Sequence, residues 1–121
     1  MTQEQKDLKD LLLKDLCARL PYGVVVKDRN GVHILTSGNT EFIDLFNGKC
    51  NIKPYLFPLS SMTEEQKIIY GDLCYAIIHS LAWDTQAALN ELVDWLNENH
   101  FDYNNLIPMG LSLDATGLNI Y

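Results

Sequence analysis

The residues best suited to chemistry lie toward the C-terminal end of the chain, where Asp94, His100 and Asp102 fall close together. In His100-Phe101-Asp102, an imidazole near a carboxylate would act as a general base, or ligate a metal while the acid orients the ring. The competing reading makes His100 and Asp102 capping groups at a corner between helices, with Phe101 and Tyr103 packed beneath. A second set is Cys74, His79 and the more distant Asp84, the residue types of a thiol enzyme. Five positions along one helix is the wrong offset for facing side chains, so Cys74 and His79 are not expected to cooperate. A third set is Lys53-Pro54-Tyr55-Leu56-Phe57-Pro58-Leu59, a proline-interrupted aromatic segment. It suits either a docking edge for a partner strand or a crossover leaving a sheet. No catalytic residue, metal ligand or cofactor follows from these sets. They leave Lys53, Tyr55, Phe57, His100, Asp102 and Tyr103 as a candidate interaction surface.

Motifs that would override this reading are missing. The chain holds no G-x-x-x-x-G-K-[ST] loop, no G-x-G-x-x-G, no H-E-x-x-H and no G-x-S-x-G. Its three cysteines, Cys17, Cys50 and Cys74, are widely spaced and include no C-x-x-C pair. They are expected to be small apolar residues of the interior rather than a disulfide framework.

The elements that would position these residues follow from periodicity. Thr2 with Gln5 has the form of a capping box. Leu8, Leu11, Leu12, Leu16 and Leu20 then recur at helical spacing, and Pro21 stops the helix. Lys6, Asp7, Lys9, Asp10, Lys14 and Asp15 are expected largely on the solvent side. Short β-branched runs follow: Val24-Val25-Val26, Val32 to Thr36, about Thr40 to Phe46, and Cys50 to Leu56. Asn30-Gly31 and Asn47-Gly48 are hairpin turn signals, and Pro54 and Pro58 should confine the last strand to an edge or an exit loop. Thr63-Glu64-Glu65-Gln66 opens a helix to about Ser80, with Ile69, Leu73, Ala76 and Ile77 expected on its buried face. Asp84 or Thr85 caps another, carrying Ala88, Leu89, Leu92, Val93, Trp95 and Leu96. Asp102 is expected to cap a short turn from Tyr103 to Ile107, and the tail from Leu111 to add a short strand or lie on the surface. The expected fold is α+β, a single domain over 1–121: an N-terminal helix, a four-stranded antiparallel meander, then two to three C-terminal helices packed on the sheet.

Charge constrains the partner. Of 121 residues, 47% are apolar and 21% charged, a globular balance, and the net charge is −7. The acidity is lopsided, because residues 63–121 carry Lys67 alone against nine carboxylates. Such a surface repels phosphate backbones and favours basic partners, so direct nucleic-acid binding is not expected. A sheet reader using Lys27, Arg29, Lys49 and Lys53 is a weak competitor, and an acidic nucleic-acid mimic a narrower one. The polar N-terminus and the lack of a long apolar run lead to an expectation of a cytoplasmic protein without a membrane span. Monomer and homodimer are both open.

Three runs carry a resemblance. They are Leu11-Leu12-Leu13-Lys14-Asp15-Leu16-Cys17-Ala18-Arg19-Leu20-Pro21-Tyr22-Gly23-Val24, Ile52 through Thr63, and Asp94-Trp95-Leu96-Asn97 with His100-Phe101-Asp102-Tyr103 to Leu106-Ile107. Together they resemble a family of small uncharacterised proteins of gut-bacterial genomes, often encoded in prophages or other mobile elements. The family has Arg-Gly where this chain has Asn104-Asn105, and it differs from Thr116 to Tyr121. The resemblance supplies no activity. It implies an accessory factor that binds a host or phage protein. The missing motifs make a non-catalytic module the expectation, and the residue types leave a small enzyme or metal protein using His100 and Asp102 as the alternative.

Overall fold

Thr2 opens the first helix by reciprocal capping: its hydroxyl accepts the Gln5 N–H (3.2 Å), while the Gln5 side chain accepts the Thr2 N–H (3.0 Å). The helix, α1, runs Gln3–Arg19. Its inner stripe is Leu12, Asp15, Leu16 and Arg19, all buried. Asp15 therefore does not lie on the solvent side with Lys14. It turns inward because Arg19, one turn on, neutralises it. A 3-10 turn, Leu20–Tyr22, follows with Pro21 at its start, and Gly23 reverses the chain at φ 71, a conformation that favours glycine.

The computed structural model describes residues 2–28, 31–36, 52–79 and 85–121. The expected strand at 40–46, both Asn-Gly turns apart from Gly31, Cys50 and the cap Asp84 lie outside that set. Within it the fold is α+β: an N-terminal helix, a mixed five-stranded sheet and two further helices. The strands are β1 (Val25–Asp28), β2 (Gly31–Ile34), β3 (Lys53–Pro58), β4 (Phe101–Asp102) and β5 (Leu113–Asp114). The later helices are α2 (Glu64–Ile78) and α3 (Thr85–Glu98).

The sheet order is β2-β1-β3-β4, with β5 also paired to β3. The antiparallel part agrees with the expected meander. β1 pairs β2 (Val25 opposite Ile34) and β3 (Val26 opposite Pro54). β4 and β5 add parallel pairings, Phe57 opposite Phe101 and Tyr55 opposite Leu113. They take opposite edges of β3, because the N–H and C=O of a trans peptide point opposite ways. Phe57 N–H donates to the His100 carbonyl (2.8 Å), whereas the carbonyl of Leu56, in the same peptide, accepts the Ala115 N–H (2.8 Å).

β3 is thus an interior strand, not the edge or exit loop that its prolines suggest. Ser112 donates to the Pro54 carbonyl (2.7 Å) and Ser61 to the Pro58 carbonyl (2.6 Å), so both proline carbonyls are met by side-chain hydroxyls.

The main core lies between α1 and the sheet and holds Leu12, Leu16, Val24, Val26, Leu35, Ile52, Leu56 and Leu106. A second cluster, Met62, Leu96 and Phe101, collects Phe57, Tyr70, Leu92, Trp95 and Tyr103 around it. α3 belongs to this cluster through Leu96 and Trp95, whose ring stacks on Phe101 at 5.6 Å. α2 starts from another capping box, Thr63 with Gln66 (3.2 and 2.9 Å). Replacing that cap, Thr63→Ala, is expected to cost about 1 kcal/mol, read as a lower urea midpoint at unchanged slope. Among the described residues no helix is long and apolar enough to cross a membrane.

Candidate functional site

Two features of this scaffold could carry function: a polar and aromatic junction at the end of α3, and a groove between α2 and α3.

The junction forms where α1 meets β4. Arg19 is fully buried; its Nε donates to Asp15 Oδ1 (2.5 Å) and its Nη2 to the Phe101 carbonyl (2.7 Å). Asn104 Nδ2 donates to Asp15 Oδ2 (2.9 Å), and the Arg19 guanidinium lies over the Tyr103 ring at 5.0 Å. Tyr103 in turn donates its hydroxyl to Asn97 Oδ1 (2.7 Å). Burial pushes the Tyr103 phenol above its ordinary range.

His100 ends α3 in the left-handed region (φ 61), with its N–H on the Asn97 carbonyl (3.1 Å). Its ring stacks nearly parallel on Tyr121, 3.6 Å between centroids and 12° between planes. Burial, and then the nearby Arg19 charge, lower the imidazole to about 4, so it is neutral at physiological pH. Its Nδ1 is buried without a hydrogen-bond partner. A cleft of about 480 Å³ opens beside it, lined by Phe57, Ser61, Glu98, Phe101 and Tyr121 among others.

The residues expected to form an interaction surface separate into different environments. Lys53 is exposed; Tyr55, Phe57 and Tyr103 are half-buried; His100 and Asp102 are buried. His100 and Phe57 meet at the cleft, while Tyr103 faces Arg19. Asp102 caps the following turn with both oxygens, accepting the Leu106 and Ile107 N–H groups (2.9 Å each), although that turn is not helical. A carboxylate held this way is a structural acceptor rather than a partner that orients His100. Asp94 lines the other groove. The tail after Leu111 supplies β5.

Cys74 is half-buried, and His79 is exposed and stacked on Tyr75 (3.9 Å). Cys17 is exposed, against the expectation of burial, because it lies off the Leu12/Leu16 stripe. Lys27 and Lys53 face one another in register, while Arg29 and Lys49 lie outside the described residues. Among the described residues no three histidine, cysteine or carboxylate side chains gather as a metal site.

The second feature is one that sequence reasoning missed. α2 is apolar yet buries none of its 15 residues. Ile69 is 44% exposed and Ala76 is also exposed, so the expected buried face is only half-covered, at Leu73 and Ile77. A second row, Ile68, Tyr75 and Ile78, is 65, 63 and 76% exposed. Between the helices runs a groove of about 560 Å³ with Ile69, Leu73, Ala87 and Trp95 in its walls. Glu91, Asp94 and Glu98 line it at helical spacing along α3. The readable signal was the excess of apolar residues in α2 over what one buried face can use.

No family model, curated protein sequence or solved structure matches the chain. Its fold and sites therefore stand on their own geometry.

Proposed function

We propose that this chain is a non-catalytic protein-interaction module whose docking face is the groove between α2 and α3, and that its partner presents a basic amphipathic helix. The supporting observation is the groove-facing side of α2, a 15-residue helix with no fully buried residue, where Ile69 is 44% exposed and Leu73 only half-covered. Exposed apolar residues concentrated on one element mark an interaction site. A partner helix would set apolar anchors on Ile69, Leu73 and Trp95 and basic residues against Glu91, Asp94 and Glu98. Charge argues against a second copy as occupant, since a two-fold contact would bring the same three carboxylates together. The apolar wall favours side-chain docking over imitation of a phosphate backbone. An accessory role of prophage or mobile-element origin fits this reading and rests on the resemblance of the three sequence runs; a cytoplasmic setting rests on the polar N-terminal residues.

The test uses a lysine-rich amphipathic helical peptide and a scrambled peptide of identical composition, with binding followed by fluorescence anisotropy. The amphipathic peptide is expected to bind at least about tenfold more tightly than the scrambled one. Replacing Ile69→Asp, or Glu91→Lys with Asp94→Lys, should remove that preference, and raised salt should weaken it. Equal binding of both peptides, or unchanged binding by the variants, would overturn the proposal. So would a stable dimer in sedimentation that Ile69→Asp dissolves.

A further inference from the structure

The register that sets Lys27 opposite Lys53 and Val26 opposite Pro54 carries Val25 opposite Tyr55. A direct backbone bond between β1 and β3 would be expected there. The Tyr121 hydroxyl is inserted instead. It accepts the Val25 N–H (2.9 Å) and donates to the Tyr55 carbonyl (2.6 Å). The ring behind it is stacked on His100 at 3.6 Å and tilted against Phe57 at 5.8 Å.

This environment matches a phenol at every point. One backbone donor and one backbone acceptor meet the hydroxyl, as its single proton and lone pairs require. A neutral imidazole and a phenyl ring contact the aromatic body. An aliphatic side chain would leave both backbone groups unpaired, and phenylalanine would fill the ring position but not the polar one. Although Tyr121 as a whole is 42% exposed, desolvation of its phenol pushes it up to about 12, against smaller opposing effects of the Val25 N–H and Arg19, so it stays protonated and able to donate. The segment leading to it turns through positive φ at Gly117 and Asn119 and leaves Leu118 49% exposed. The cleft beside His100 leaves room for the remainder of a larger ligand.

We propose that Val25 N–H, Tyr55 C=O, His100 and Phe57 form a phenol-recognition slot, filled in cis by Tyr121 and open to exchange with a phenol supplied in trans. The slot shares none of its four groups with the α2–α3 groove and does not depend on it, although Glu98 borders both that groove and the cleft.

The experiment vacates the slot with Tyr121→Ala and supplies p-cresol. Calorimetry should give saturable binding to this variant, with a raised Tm, and at least about tenfold weaker binding of toluene, which has the ring and no hydroxyl. The unaltered protein, with its slot filled, should take up far less p-cresol than the variant. Equal binding of p-cresol and toluene, equal uptake by the unaltered protein, or no binding to a folded variant would overturn the proposal.

If Tyr121→Ala does not fold, Tyr121→Phe keeps the stack and removes both hydrogen bonds. Amide exchange at Val25 should then accelerate at least about tenfold, and an unchanged rate would overturn the bridge. The source of the ligand is separable in the same assay. A peptide of residues 115–121 binding the Tyr121→Ala variant over tenfold more tightly than p-cresol assigns the slot to a polypeptide tyrosine. Equal affinity assigns it to a free phenol.

Discussion

Asp15→Leu is expected to destabilise the protein by about 3–5 kcal/mol, because it leaves the Arg19 guanidinium buried without its counter-charge. The remaining interactions of Arg19, the Phe101 carbonyl and the Tyr103 face, are too few to solvate a full charge away from water. Asn104 would also lose its acceptor on Asp15. The double replacement Asp15→Leu with Arg19→Met should recover more than half of that loss, since no charge then remains inside. Its residual cost is the Phe101 carbonyl left without its donor, about 1–3 kcal/mol. Urea unfolding of the two single variants and the double variant forms the required cycle. A cost below about 1 kcal/mol for Asp15→Leu alone would mean that the pair is effectively hydrated and contributes little.

Acidification should weaken the fold through His100. Its folded-state pKa of about 4 lies below the ordinary 6.5, so the unfolded chain takes up the proton more readily. The contribution of the neutral ring is fully present above about pH 6.5. It declines as pH falls from there toward about 4, and is constant below that. A gap of this size corresponds to up to about 3 kcal/mol. His100→Asn retains a residue that tolerates the left-handed backbone and removes the titrating ring. The slope of unfolding free energy between pH 6.5 and 4 should therefore be shallower in this variant than in the parent. Carboxylates titrate in both proteins, so the difference between the two slopes isolates the histidine. Parallel slopes would mean that the imidazole is as accessible to protons in the folded state as in the unfolded one.

Local chemistry is legible in this sequence, and tertiary chemistry much less so. The Thr2 and Thr63 capping boxes can be read directly because donor and acceptor lie three residues apart. Pro21 and the change from helical to β-branched composition mark the passage from α1 to β1. Asp102 is recognisable as a cap, though of a non-helical turn. By contrast, the buried Asp15–Arg19 pair is disguised as part of a solvated face. The clue was present in the spacing, because 12, 15, 16 and 19 form one helical stripe.

The roles of β4 and β5 could not be read. Two-residue strands have no periodicity, and their partners lie far away in sequence. The candidate surface fared similarly. Aromatic and polar residue types identified the neighbourhood of His100, but the stack on Tyr121 depends on a left-handed turn and a distant tail. Exposure of α2 was hidden for another reason: a helix apolar on more than one side resembles a buried helix until its neighbours are known.

The two parallel pairings of β3 also dictate an order of events during synthesis. The 56–57 peptide finds its permanent partners at His100 and Ala115, so the strand through Tyr55, Leu56 and Phe57 emerges from the ribosome before they do. At ordinary elongation rates the delay is roughly 3–12 s. For that interval an apolar strand offers unpaired N–H and C=O groups to any neighbouring chain. Completion of the C-terminal segment is therefore the step that closes the sheet, and chains interrupted before it are expected to aggregate.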